Sequence, residues 1–153
     1  MPLRQGTRPD VPHRVDLWDF QNAISAARTA GDKAARVIAL GQAAQLCRGV
    51  LAEGLTCGWI DERRGPQTRI QADVLSQLAE LQERDDPEAA LDVLERIMVL
   101  NPDPEETWRR IIRLRLRLNR RDQARNTAAL LRKRLQELGV RPIRETERLF
   151  SEL

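Results

Sequence analysis

Ala90 and Ala124 stand 34 residues apart, and the apolar residues around them recur at the same distance. Leu78 matches Ile112, Leu94 matches Ala128, and Ile97 matches Leu131. A self-similar period of this length marks helical hairpins that stack, because a single hairpin cannot bury its apolar face alone. Such stacks offer surfaces and grooves rather than reaction centres, so the first question is what the chain holds, not what it converts.

The rest of the composition agrees with helices. Charged residues make up 32% of the 153 positions and apolar ones 41%, with two Phe and no Tyr. Ala, Leu, Arg, Glu and Gln dominate, and all are good helix formers. One domain of this length can bury a core without metal or disulfide support. No apolar run reaches the roughly 18–20 residues of a membrane span. The stretch Met1–Arg14 carries charges and no hydrophobic centre, unlike a signal peptide. Cys47 and Cys57 do not form a CxxC, and reduced thiols in a cytoplasmic protein are expected. The net charge of +3 hides an asymmetry. Residues 105–153 hold 14 basic and 7 acidic side chains, which leaves 12 and 16 for residues 1–104.

Along the chain, residues 1–14 contain three prolines and no periodicity, and read as an arm or linker ahead of a domain at 15–153. A first helix from Val15 or Asp16 places Leu17, Phe20, Ile24 and Ala27 on one face and stops at Ala30-Gly31. Asp32 then caps a second helix with the stripe Ala35, Ile38, Ala39, Ala43 and Leu46. A glycine-bearing stretch, Arg48 to Pro66, interrupts the array, with Trp59 and Ile60 expected to pin it to the core. A helix from Pro66 or Gln67 to Arg84 buries Ile70, Val74, Leu78 and Leu81. Asp86-Pro87 opens the next helix, which buries Ala90, Leu91, Leu94, Ile97 and Met98 and stops before Asn101-Pro102. A helix from Pro104 carries Trp108, Ile111, Ile112 and Leu118. Its partner runs from Asp122 to Leu138 and is ended by Gly139. A short last helix, Glu145 to Leu153, caps the open end. The expected fold is all-α, a tetratricopeptide-like stack of about seven helices in antiparallel hairpins. Trp18, Trp59 and Trp108, with Ala90 and Ala124, are expected to be structural anchors.

Chemistry-bearing motifs are missing from the sequence. The single histidine, His13, lies in the arm, so a nucleophilic triad or a histidine metal site has one candidate member. Neither GxxxxGK[ST] nor GxGxxG is present. No catalytic residue, metal or cofactor is expected. The positive signal is basic: on one helix, Arg110, Arg113, Arg117 and Arg120 project to the same side as Arg109, opposite the apolar residues. That face suits an acidic partner or a phosphate, or is a solvated surface paired with the acidic first half. No aromatic residues interleave it to stack bases. Arg115 falls in the middle of the apolar face, where Leu81 stands one repeat earlier. A buried Arg needs a carboxylate or several carbonyls, from a bound ligand or from the preceding hairpin.

These residues carry a resemblance. VDLWDF (15–20), AGDKAAR (30–36), LCRGVL (46–51) followed by Trp59, PEAALDVLE (87–95), NRRDQA (119–124) and RLQELGVRPIRETERLF (134–150) are similar, in order and spacing, to the bacterial transcriptional activator domain of actinobacterial antibiotic-regulatory-type regulators. Such domains often carry an aromatic, Tyr-Arg-like pair where this chain has Asn126-Thr127. The resemblance implies a non-catalytic regulatory or oligomerisation module in the cytoplasm, usually preceded by a winged-helix DNA-binding domain that these residues do not contain. Its partner would be a protein: a second copy, RNA polymerase or another regulatory domain. A sensor of a small anionic ligand such as a nucleotide is the alternative, using Arg109, Arg113, Arg115 and Arg117. A module of a membrane- or cell-wall-associated protein is another. Direct DNA contact is the least favoured.

Overall fold

A computed structural model describes residues 13–51, 61–102 and 104–153, with side chains described for 18–46, 69–102 and 104–153. Seven helices follow one another: α1 (His13–Thr29), α2 (Lys33–Leu51), α3 (Asp61–Gln82), α4 (Pro87–Leu100), α5 (Glu105–Arg117), α6 (Arg121–Glu137) and α7 (Arg144–Ser151). No strand occurs among the described residues. The chain divides into two compact units, Met1–Leu55 and Thr56–Leu153.

In the first unit α1 packs on α2 across a turn too short for anything but an antiparallel hairpin. Asp32 Oδ1 accepts from the Ala35 N–H at 2.7 Å and so caps α2. The buried face is small: Ala23 and Ala27 of α1 meet Ala39, Leu40, Ala43 and Ala44 of α2. This departs from the expected stripe. Ile38 is 63% exposed, and Ala35 is exposed, because the α2 core centres on 39/40/43/44 and Ile38 projects from the other side of the helix. Trp18 is 68% exposed, so its expected role as an anchor is corrected: it stands about 140° and 180° round α1 from the buried Ala23 and Ala27 and projects away from α2. The expected arm also shortens at its end, since His13 and Arg14 are in α1.

In the second unit α3 begins at Asp61 and takes in Gly65 and Pro66, five residues ahead of the expected start. Single glycine and proline residues cost a helix about 1 and 3 kcal/mol, and tertiary packing overrides such costs. Here Val74, Leu75, Leu78 and Ala79 are all buried, while Ile70 is half exposed and Leu81 half buried. Helix α2 likewise runs through Leu51, so the expected irregular stretch is shorter at both ends. Cys57, Trp59 and Ile60 lie outside the described residues, as does the side chain of Cys47.

The 34-residue period holds in three dimensions. Ala90 and Ala124, Leu78 and Ile112, Leu94 and Ala128, and Ile97 and Leu131 are each at most 4% exposed. Equivalent first helices are bridged by a side chain: Arg110 on α5 donates to Ser76 Oγ, 34 residues earlier on α3, at 3.0 Å. Asp86 caps α4 by accepting from the Ala89 N–H. Both later helices end alike. After α5, Asn119 takes φ 59°, with Asn119 N–H bonding Leu116 O and Arg120 N–H bonding Arg115 O. After α6, Gly139 takes φ 68°, with Gly139 N–H bonding Gln136 O and Val140 N–H bonding Leu135 O. These paired bonds satisfy carbonyls that the helix end would leave bare, and they need a left-handed residue. Leu118 is therefore the C-cap of α5 rather than part of its apolar face.

Helix α7 stands where a third repeat would begin. Thr146 follows Ile112 by 34 residues and is fully buried. Leu149 packs with Ile112, Ala124 and Ala128, and Phe150 reaches the neighbouring cluster of Trp108, Leu131 and Leu135. Its outward residues Arg144, Glu145, Arg148 and Glu152 are exposed. A short helix with one apolar and one polar face closes the stack without exposing a new core.

Candidate functional site

The arginines of α5 do not form one surface. At 100° per residue Arg115 projects about 200° from Arg113, so the two serve opposite faces of the helix. Arg109 is 6% exposed, and its Nη1 donates to Thr146 Oγ1 of α7 at 3.1 Å while Nη2 pairs with Glu106. Its expected place in a partner-binding stripe is thereby corrected: α7 covers it, because Thr146 supplies a buried acceptor directly above. Arg110 Nε donates to Glu83 Oε1 at 2.6 Å, and Arg117 Nη1 donates to the Glu83 carbonyl at 2.7 Å. Arg120 lies beyond the end of α5, as the N-cap of α6, and pairs with Glu88 at 2.6 Å. Arg113 is exposed and makes no hydrogen bond or ion pair among the described residues. It lines a mixed-charge cleft of about 550 Å³ between α3 and α5, with Glu80, Glu83, Glu106, Arg110 and Arg117.

On the other side, α4, α5 and α6 enclose a cleft of about 260 Å³. Trp108, Ile111 and Thr127 are its buried residues, and Met98, Val99 and Leu130 line it from α4 and α6. Trp108 is held by its indole N–H, which donates to Pro102 O at 2.7 Å. Arg115 forms one wall. Its Nη2 meets Glu95 Oε1 of α4 at 2.6 Å, and its Nη1 reaches Thr127 Oγ1 and the Gln123 carbonyl of α6. The preceding hairpin thus supplies the carboxylate that a buried arginine requires. One guanidinium ties three helices together, and at 21% side-chain exposure it still borders the opening.

Two residues of this cleft escaped the sequence reading. Val99 is 86% exposed and Leu130 59%, the one on α4 and the other on α6. The signal was present for Val99, which stands nine residues from Ala90 and so points about 180° away from it. An aliphatic residue at the outermost position of a charged helix has no packing reason to be there.

No group of three potential metal ligands occurs among the described residues, and none of their helices is long and apolar enough to cross a membrane. Among the described residues the arrangement offers no nucleophile beside a base. It offers an apolar notch with a polar wall on one face and a largely self-neutralised charged cleft on the other. Neither a curated protein nor a solved structure matches the chain. One family matches over residues 15–153, nearly the whole length, and it is described as the bacterial transcriptional activator domain. With its stacked hairpins, the chain belongs to that family of transcription-regulator domains.

Proposed function

We propose that the chain is a protein-interaction and regulatory domain of a bacterial transcription regulator, and that it engages its partner through the α4–α6 cleft. The observation that carries this reading is the exposure of Val99 and Leu130 over a floor of Trp108 and Ile111. An apolar centre with a polar border is the anatomy of a protein interface. The cleft, at about 260 Å³, falls below the roughly 300–1,000 Å³ of small-molecule pockets and suits a partner's inserted side chain. Arg115, half in the wall, is the contact residue on this face, and Arg113 the free cation on the other. Internal pairing of Arg110, Arg115, Arg117 and Arg120 speaks against an anion sensor or a DNA-binding stripe.

The test is the double variant Val99→Asp, Leu130→Asp. Both side chains are exposed, so helicity and melting temperature should stay within a few degrees of wild type. Sedimentation velocity over a wide concentration range reads self-association, and retention on purified RNA polymerase reads the second partner. Loss of either association in the double variant supports the reading. A wild-type chain that is monomeric throughout and not retained, or a variant that associates as well as wild type, overturns it.

A further inference from the structure

The α4–α6 cleft lies at the centre of a charge pattern. Helices α4 and α6 each pack antiparallel to α5 across a short connection, so they run in the same direction. Arg115 bonds Glu95 on α4 and Thr127 on α6, which sets those two residues at one height. Val99 stands four residues past Glu95 and Leu130 three past Thr127, so the two are level across the opening to within about 1.5 Å. At 100° per residue Glu88, Asp92 and Glu95 project within about 40° of Val99, and all three are exposed. The outer ridge of α4 is therefore acidic before Val99, and one residue after it the helix ends at Leu100. The outer ridge of α6 is the reverse. Gln123 and Asn126, before Leu130, are uncharged, while Lys133 and Arg134 follow it, each within about 60°. Neighbours of opposite sign reduce both arms without cancelling them: three acids against Arg96 leave −2 on α4, and two bases against Glu137 leave +1 on α6.

The two charged arms lie diagonally about the apolar centre, the acidic one towards the start of α4 and the basic one towards the end of α6. A half-turn about an axis normal to this surface, through the point between Val99 and Leu130, exchanges α4 with α6 and start with end. It lays the acidic arm of one chain over the basic arm of another, and Val99 over Leu130. Self-complementarity under a two-fold rotation is what an isologous dimer requires. A partner surface of a single sign would be attracted by one arm and repelled by the other. We propose that the occupant of the α4–α6 cleft is a second copy of this chain, bound across this two-fold axis with α4 antiparallel over the partner's α6. The inference rests on the reading of the cleft as a protein-interaction site and names what fills it. In this register Val99 of each protomer meets the partner's Leu130, and Glu95 falls beside the partner's Lys133 and the partner's Arg134. The contact is made twice, so each favourable term counts double.

The experiment reverses each arm in the full chain. One variant carries Asp92→Lys and Glu95→Lys, the other Lys133→Glu and Arg134→Glu. Sedimentation velocity at low salt follows wild type, each variant alone, and an equimolar mixture of the two variants. Circular dichroism checks that both fold; the single changes Asp92→Lys and Lys133→Glu, at exposed positions, replace a double variant that does not. Wild type dimerises, less tightly as salt is added. Each variant alone, with like charges facing across both halves, associates about tenfold more weakly. The mixture recovers wild-type association to within about threefold, because in the mixed dimer both pairs of arms are again opposite in sign. A mixture no tighter than the separate variants, or variants as tight as wild type, overturns the proposal. A wild-type chain that stays monomeric yet is retained on RNA polymerase through Val99 and Leu130 overturns it as well, and leaves the reading of the cleft standing. Associations untouched by Val99→Asp with Leu130→Asp overturn both.

Discussion

Trp18 and Trp108 occupy comparable places, each near the start of the first helix of a hairpin, yet one is 68% exposed and the other 6%. The difference lies in what faces them. The α5–α6 hairpin sets Leu131 and Leu135 against Trp108 and gives its N–H an acceptor in Pro102. Among its described side chains the α1–α2 hairpin meets across alanines, with Leu40 the one large fully buried residue. Trp18 stands about 140° and 180° round α1 from the buried Ala23 and Ala27, so the indole points away from α2 and stays outside. Whether an aromatic residue becomes core or surface is thus decided by which side of its helix meets a neighbour. The unit with large residues buries a true core and still leaves Val99 and Leu130 on its surface. The unit with small residues leaves Trp18 and Ile38 outside.

The comparison breaks first at Trp108. Trp108→Ala should cost about 3–5 kcal/mol, as for a large aromatic removed from a packed site, read as a fall in the midpoint of urea unfolding followed by circular dichroism. The converse test fills the other hairpin. Ala43 is fully buried, and Ala43→Leu should destabilise by about 1–3 kcal/mol because a close-packed contact has no space to give. If the leucine variant were instead more stable, the α1–α2 contact would be loose enough to accept a larger side chain.

Much of this contrast was legible before the structure. The 34-residue period located the buried pairs of α3–α6, because a repeat must place equivalent residues in equivalent environments. Asp32, Asp86 and Gly139 marked helix ends through chemistry local to the backbone. The bacterial transcriptional activator domain family was legible from motif order. What failed was whatever depended on a neighbour. A helical projection of Arg109 cannot know that α7 covers it, and projecting Arg120 assumes a helix that in fact ends at Arg117. Arg115 was singled out correctly as an arginine in an apolar face, while the identity of its partner, Glu95, needed the packing of α4 on α5. Val99 and Leu130 fall outside the buried stripes of α4 and α6, and only the packing of those helices on α5 places the two beside one cleft.

Local and tertiary terms can be separated by smaller changes. Asp86→Ala and Asp32→Ala each remove one capping bond and should each cost about 1 kcal/mol, although the first sits in the large-residue unit and the second in the alanine hairpin. Equal losses would show that caps act independently of the core beside them. The Arg115–Glu95 pair should couple more weakly. Both side chains are partly exposed, at 21% and 46%. A double-mutant cycle with Arg115→Met and Glu95→Gln should return about 0.2–1 kcal/mol, diminishing with added salt. A much larger, salt-insensitive coupling would make this bridge a buried joint between α4 and α5 rather than the border of an interface.

The smallest expected effect is the sharpest. Removing Trp18 deletes as large a side chain as removing Trp108, so any rule based on residue type alone requires similar losses. Its exposure requires otherwise: Trp18→Ala should change stability by no more than about 0.5 kcal/mol, the range of ordinary surface substitutions. Differential scanning calorimetry of the two alanine variants side by side reads both outcomes on the same chain. A loss at Trp18 approaching that at Trp108 would mean that the indole is buried against a part of the molecule other than α2. A melting transition unmoved by Trp18→Ala, beside a large fall for Trp108→Ala, would separate the tryptophan that holds the fold from the one that stays on its surface.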